Sequence, residues 1–133
     1  MRDTRKIVSV EPATSRCLHA ALEAGTPTPV EVAGLAADSL GARQLGAVSW
    51  SIVESFVDAA VLVTDDDIRA AQQILWQELR LVAEPGGAAA LAALRSGAYV
   101  PEPGERVIVV VCGSNCDPAT VTNWVRPATV HDF

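Results

Sequence analysis

The run Val107-Ile108-Val109-Val110-Val111, followed at once by Cys112-Gly113-Ser114-Asn115, decides the fold class. An unbroken β-branched run without polar alternation is typical of a parallel strand buried on both faces. Ligands of open parallel sheets bind beyond the carboxyl ends of the strands, so the turn after this run is the first candidate site. Gly113 would let a ligand ring approach the backbone closely, and Cys112 would point its thiol at that ligand. The alternative is a core cysteine before an ordinary strand-to-helix turn, because free cysteine is often buried.

Outward from this run, strands alternate with helices along the whole chain. Further strands are predicted at residues 6–10 and 60–63, with a short edge strand at 30–32 and a loop with a helical start at 33–41. Helices are predicted at residues 16–24, 42–57, 65–81, 86–95 and 118–124. The alternation indicates an α/β fold with an open, mostly parallel sheet and flanking helices. Three strands expose too many unpaired edge groups for a complete sheet, so we expect residues 1–133 to form a single partial α/β domain.

Composition excludes several classes of function. The chain has 133 residues and a net charge of -6, and its 10 Lys and Arg residues are scattered, so we expect no nucleic-acid partner. No apolar run approaches the roughly 18 residues of a membrane-spanning helix, and no signal peptide is recognisable, which predicts a cytoplasmic protein without a membrane partner. The three cysteines, Cys17, Cys112 and Cys116, are too few for a disulfide framework, and the C-x3-C spacing lacks the second ligand pair of a zinc site.

Two carboxylates also follow predicted strands or begin predicted helices. Glu84 opens Glu84-Pro85-Gly86-Gly87 and either caps a helix or stands beside a cofactor that the small residues allow to approach. Glu11, at the end of the first strand, is either a metal ligand or an ordinary exposed acid. His19 and His131 have no recognisable catalytic partners, so a Ser-His-Asp arrangement has no support.

Taken in order, six motifs resemble the serine/threonine dehydratase branch of the fold-type-II pyridoxal-phosphate enzymes. The similarity spans about residues 5–125, and the order and spacing of the motifs carry it. The motifs are Val10-Glu11-Pro12, Leu18-His19-Ala20-Ala21-Leu22-Glu23-Ala24-Gly25, Gly34-Leu35-Ala36-Ala37-Asp38-Ser39-Leu40-Gly41, Val61-Leu62-Val63-Thr64-Asp65, Glu84-Pro85-Gly86-Gly87-Ala88-Ala89-Ala90-Leu91 and Val109-Val110-Val111-Cys112-Gly113-Ser114-Asn115.

This resemblance implies a partial large domain of the tryptophan-synthase-β-like fold and pyridoxal phosphate as cofactor. It also implies a catalytic lysine that forms a Schiff base, and a glycine-rich phosphate loop, both in the N-terminal portion of the family's enzymes. The single lysine here, Lys6, does not match the family's lysine motif, and no tetraglycine loop is present. We therefore expect the C-terminal portion of a dehydratase, inactive alone, with no catalytic residue of its own.

The resemblance also implies roles for individual residues. Cys112 would stand beside the pyridine nitrogen, while Gly113, Ser114 and Asn115 line the edge of the ring. Glu84 would lie near the pocket, and Gly34 would approach the opposite edge. Some relatives bind a cation at positions that match Glu11, the Ser15 carbonyl and Cys17. Because a thiol is a poor ligand for hard cations, we expect at most a monovalent cation at Glu11 and Ser15.

In the complete enzyme, the resemblance implies elimination of water from L-serine or L-threonine, giving a 2-oxo acid and ammonia. Two alternatives stay open at this point. The chain could be a non-catalytic interaction module or subunit, pairing with itself as a homodimer or with a separate N-terminal chain. It could also belong to a related β-replacement enzyme or racemase, since the motifs do not separate these reactions.

Overall fold

A small parallel sheet is the centre of the computed structural model, which describes residues 5–123. Strand β1 (Val8–Pro12) pairs in parallel with β2 (Ala59–Val63), and Val8 lies opposite Ala59. The helices of the described part are α1 (Cys17–Ala24), α2 (Ala47–Phe56), α3 (Asp65–Leu79), α4 (Pro85–Ser96) and α5 (Pro118–Thr122). The predicted α/β class with a parallel sheet and flanking helices is confirmed.

The core lies where α3 and α4 pack on each other and on the sheet. Ile68, Ala71 and Leu75 form the buried face of α3, as their helical spacing predicts. The facing side of α4 is built almost entirely from alanine, with Ala88, Ala89, Ala92 and Ala93 buried. Because these side chains are small, the α4 backbone comes close to both strands, and this packing positions the amino terminus of α4.

The helix ends follow the signals in the sequence. Thr64 caps α3 through its hydroxyl, which accepts from the Asp67 backbone N–H at 3.1 Å, while the Asp67 carboxylate accepts from the Thr64 N–H at 2.9 Å. Gly25 and Gly97 end α1 and α4 in left-handed conformations, as predicted. Asp117 caps α5 with its side chain. The predicted end of that helix near Trp124, like the tail at 126–133, lies outside the described residues.

Several predicted elements are wrong or shifted. The first strand begins two residues later than predicted, and residues 30–32 form no strand because Val30 makes only one backbone bond there, to Arg43. Residues 33–41 fold as successive turns without a helix. Helix α2 is shorter than the predicted 42–57. Its periodicity predicts an apolar stripe through Leu45, Val48, Ile52, Val53 and Phe56, of which only Val53 is buried, while Val48 is 77% and Phe56 62% exposed. No element among residues 5–123 covers the rest of this stripe.

The largest correction concerns the run that decided the fold class. Residues 106–111, called the outer segment below, form no paired strand and make no backbone–backbone hydrogen bond within residues 5–123. Ile108 is 89% exposed and Val110 is 66% exposed, so the burial predicted on both faces is absent. The physical reason is that a strand needs a neighbour, and the described chain places none beside this segment.

No helix among residues 5–123 combines the length and the apolar character needed to cross a bilayer.

Candidate functional site

The turn that follows the outer segment rests directly on the amino terminus of α4. The Glu84 backbone N–H donates to the Gly113 carbonyl at 3.0 Å. A Cβ on Gly87 would overlap the Cys112 carbonyl, and a Cβ on Gly113 would overlap the Glu84 carboxylate. Gly113 also has a φ of 65°, a conformation that favours glycine. Gly87 thus permits a backbone contact between turn and helix that any side chain would block, and Gly113 leaves room for the Glu84 carboxylate.

The side chains of this turn face outward. Cys112, Ser114 and Asn115 are exposed, and Cys112 is a free thiol, so the alternative of a core cysteine is wrong for the described chain. The Cys116 backbone N–H donates to the Ser114 carbonyl at 2.8 Å and holds the turn closed. The result is a short row of neutral thiol, hydroxyl and amide groups at the end of the outer segment.

Glu84 occupies the N-cap position of α4, but its side chain makes no capping hydrogen bond. Its carboxylate instead lies against Gly113. Burial raises the pKa of the Cys116 thiol, and the charges of Glu84 and Asp117 raise it further. Of the two roles that the sequence left open for Glu84, the side-chain cap is therefore wrong, and the carboxylate lies next to the turn.

Gly34 lies in a second cluster, where the loops after β1 and β2 meet. It has a φ of 81°, and a Cβ there would collide with Thr14 and with Asp65. Asp65 accepts from the Leu35 backbone N–H at 2.8 Å and from the Thr14 hydroxyl at 3.2 Å. The sequence marks Asp65 only as a helix-start acid, and its second role, fixing the Gly34 turn, is missed.

Residues 39 and 40 join the two clusters. The Ser39 hydroxyl accepts from the Gly86 backbone N–H at 2.9 Å, at the start of α4. The Ser15 hydroxyl donates to the Leu40 carbonyl at 2.5 Å, just after β1. The segments predicted at the carboxyl edge of the sheet are thus brought together there. Ser39 is a second residue that the sequence did not single out, although it stands inside the quoted Gly34–Gly41 motif.

The residues predicted to hold a cation, Glu11 and Ser15, lie around the amino terminus of α1 and not at the turn of residues 112–115. The Glu11 carboxylate accepts from the backbone N–H groups of Leu18 at 3.0 Å and His19 at 2.8 Å, and so stabilises the amino terminus of α1. Ser15 is buried with its hydroxyl already bonded. Burial, and then the neighbouring Glu11 carboxylate, raise the pKa of the Cys17 thiol. Within residues 5–123, no three His, Cys, Asp or Glu side chains gather as metal ligands would.

Lys6 lies at the opposite end of the sheet. It precedes β1, and its Nζ is 4.9 Å from the centre of the Tyr99 ring. The Tyr99 hydroxyl donates to Glu105 at 2.5 Å. Hydrogen bonding with Tyr99 raises the pKa of Lys6. The Cys112–Gly113 turn, in contrast, sits at the amino terminus of α4, while Tyr99 follows its carboxyl terminus.

Comparison with known proteins gives consistent results. Residues 1–113 match the family described as pyridoxal-phosphate dependent enzyme. The chain is 37% identical to phenylserine dehydratase of Ralstonia pickettii over 86% of this chain and 35% of that protein. It is 36% identical to the biosynthetic L-threonine dehydratase of Pasteurella multocida, over 83% of this chain and 22% of that protein.

Among solved structures, the threonine deaminase of T.th. superposes with a TM-score of 0.76 and 29% identity, over 86% of this chain and 41% of that one. The chain therefore spans well under half the length of the relatives it matches.

Substituting Gly87→Ala tests the contact between turn and helix. Helix propensity alone favours alanine by about 1 kcal/mol. We expect the opposite sign, a loss of about 2–3 kcal/mol in the free energy of unfolding, because the added methyl overlaps the Cys112 carbonyl. Urea unfolding followed by circular dichroism measures it. Gly46→Ala is the control, since nothing lies within 4 Å of its Cβ position, and should cost less than about 1 kcal/mol as a weaker N-cap. Stabilisation by Gly87→Ala would contradict the described contact.

Thiol labelling tests the orientation of Cys112. We expect Cys112 to react with a disulfide reagent at least about tenfold faster than Cys17 near neutral pH, because only thiolates attack and Cys17 is buried with a raised pKa. Peptide mapping by mass spectrometry at short labelling times distinguishes the two. In denaturant the rates should converge, which serves as the control. Equal rates in the native chain would show that Cys112 is covered.

Proposed function

Because the chain belongs to the family of pyridoxal-phosphate-dependent enzymes, we propose that it forms one wall of a dehydratase active site. The substrate class is a hydroxy amino acid, from which the assembled enzyme removes water. The observation that carries this proposal is the turn at residues 112–115, clamped on the start of α4 with its neutral side chains outward. The identity to phenylserine and threonine dehydratases supports the reaction class, although this chain spans only 35% of the former.

The residues of this turn fit one side of pyridoxal phosphate. Cys112 offers a neutral thiol to a pyridine nitrogen, and Ser114 and Asn115 add a hydroxyl and an amide at the edge of a ring. Gly113 leaves the backbone open to a flat group. When bound, the cofactor supplies an electron-withdrawing ring that stabilises negative charge at the substrate Cα.

The protein groups then have distinct tasks. With the cofactor bound, the Cys112 thiol would be the residue that meets the ring nitrogen, and as an uncharged group it would limit the electron withdrawal to what elimination requires. The Glu84 carboxylate, packed on Gly113, fixes the turn in place. Asp65 and Ser39 are positioning residues, because they hold the Gly34 loop against the two strand ends and against Gly86. We further propose that any cation bound at Glu11 and the Ser15 carbonyl is monovalent.

The chain by itself would not turn over substrate. Covalent attachment of the cofactor and removal of the Cα proton both require a lysine amine. Lys6 is the only lysine, and it lies beyond the amino end of β1 beside Tyr99. We therefore propose that the lysine and the phosphate-binding loop come from further polypeptide, and that the three unpaired cysteines suit a reducing compartment such as the cytoplasm.

The assay compares the purified chain with the chain co-expressed with a lysine-bearing partner. The partner is the part of the Ralstonia pickettii phenylserine dehydratase that this chain does not match. With added pyridoxal phosphate and L-serine, L-threonine or phenylserine, we expect 2-oxo acid and ammonia only from the pair. Within the pair, Cys112→Ala should lower kcat by up to about tenfold, the worth of one modest hydrogen bond, while Cys112→Ser retains it.

Cys116→Ala is the matched control, because Cys116 lies in the same turn but is partly buried. Robust turnover by the pure chain would contradict the proposed division of the site. A pair that binds together but releases neither 2-oxo acid nor ammonia would favour the non-catalytic module, and racemised substrate would favour the racemase alternative.

A further inference from the structure

A cleft of about 520 Å³ lies between β1 and the outer segment. Val8 and Val10 line it on one side, and Val107, Ile108 and Val109 line it on the other. Its floor is the α4 surface formed by Ala90, Ala93 and Leu94. The stretch between these walls is aliphatic, while the end of the cleft near the carboxyl terminus of α4 is lined by charged and aromatic side chains, namely Arg5, Lys6, Tyr99, Glu105 and Arg106.

The β1 wall exposes backbone groups that have no partner in the sheet. Parallel strands bond through alternate residues, and those that face β2 are the odd-numbered ones. The Ile7 carbonyl accepts from the Asp58 N–H at 2.9 Å, and the Ala13 N–H donates to the Val63 carbonyl at 2.9 Å. The N–H and C=O groups of Val8 and Val10 consequently point away from β2, toward the cleft.

The opposite wall is held at both ends and unbonded between them. At its start, Glu105 accepts from the Tyr99 hydroxyl at 2.5 Å and from the Glu102 N–H at 2.8 Å. At its end, the Gly113 carbonyl accepts from the Glu84 N–H. Within the described residues, none of the backbone groups of the outer segment bonds to another backbone group. The segment is thus positioned like a strand without making a strand's hydrogen bonds.

The two walls run in the same direction. Lys6, just before β1, contacts Tyr99, which in turn bonds Glu105 just before the outer segment. Both walls therefore start at the carboxyl end of α4. The outer segment then runs back along α4 to its amino terminus, where Gly87 contacts Cys112. A strand placed between the two walls could therefore run parallel to both of them.

We propose that this cleft is the seat of one β-strand, parallel to β1, contributed by the polypeptide that carries the lysine. This inference rests on the proposed function, since it names the partner of that site. The outward-pointing N–H and C=O groups of Val8 and Val10, beside an outer segment that makes no backbone–backbone bonds, fit a strand, because only an extended backbone could bond such a row while covering the aliphatic walls. The side chains that face α4 must be aliphatic and uncharged. The carboxyl end of this strand would open beside residues 112–115, so the loop that follows it enters the site.

Amide hydrogen exchange tests the proposal. It compares the chain alone with the chain co-expressed and purified with the unmatched part of the Ralstonia pickettii phenylserine dehydratase. We expect the amides of Val8, Val10 and the outer segment to exchange at least about 100-fold more slowly in the complex, because they become part of a central ladder. A complex that forms while these amides keep their free rates overturns the proposal, and so does failure of the two chains to co-purify.

A pair of proline substitutions gives an independent test. Val8→Pro removes an N–H that faces the cleft, and Ala60→Pro removes one on the far edge of β2, while both leave the β1–β2 ladder bonds intact. We expect Val8→Pro to weaken the complex at least about tenfold and Ala60→Pro to change it less than about twofold. Circular dichroism of each variant confirms that it is folded. Equal effects of the two substitutions would overturn the proposal.

The two proposals fail differently. Turnover by the pair without protection of the outer segment leaves the proposed function standing and overturns the strand. Protection without turnover on any of the three substrates supports the strand and contradicts the dehydratase assignment.

Discussion

The absence of side chains at Gly87 and Gly113 is the constraint on which the site depends. Because neither residue has a Cβ, the Cys112 carbonyl and the Glu84 carboxylate can occupy space at the start of α4 that any other residue would fill. This contact fixes the end of the outer segment, although that segment has no paired neighbour in the described chain. It also presents Cys112, Ser114 and Asn115 outward as a row of neutral polar groups. The alanine face of α4 extends the same principle, since it brings the helix close to both strands.

Local signals in the sequence were sufficient for much of the fold. The strand at 59–63, the capping box at Thr64, the Pro85 start of α4 and the glycine ends of α1 and α4 follow from short-range chemistry. The outer segment was mispredicted because burial of its valines depends on a neighbour that no local pattern can supply. Most of the apolar stripe on α2 is exposed for the same reason, since periodicity shows that a face is apolar but not what covers it.

Contacts around the candidate site could be predicted where a motif contained both partners' segments, and not where they join a side chain to a distant backbone group. Glu84 and residues 112–115 lie 28 or more positions apart, yet the resemblance placed them together and Glu84 contacts Gly113 in the structure. Asp65 and Ser39 were missed because their partners are 30 and 47 residues away and involve backbone N–H groups, which leave no sequence signal. For Glu11, the motif suggests a cation ligand, whereas the observed partners of its carboxylate are two backbone N–H groups of α1.

We propose that residues 1–133 form one wall of the cofactor site and that the lysine holding the cofactor lies outside them. Borohydride reduction of the co-expressed pair with pyridoxal phosphate, followed by peptide mass mapping, tests it most directly, because reduction fixes the cofactor to the lysine that holds it. We expect a pyridoxyl group on a lysine of the partner and an unmodified Lys6. A pyridoxyl group found stoichiometrically on Lys6 would contradict it.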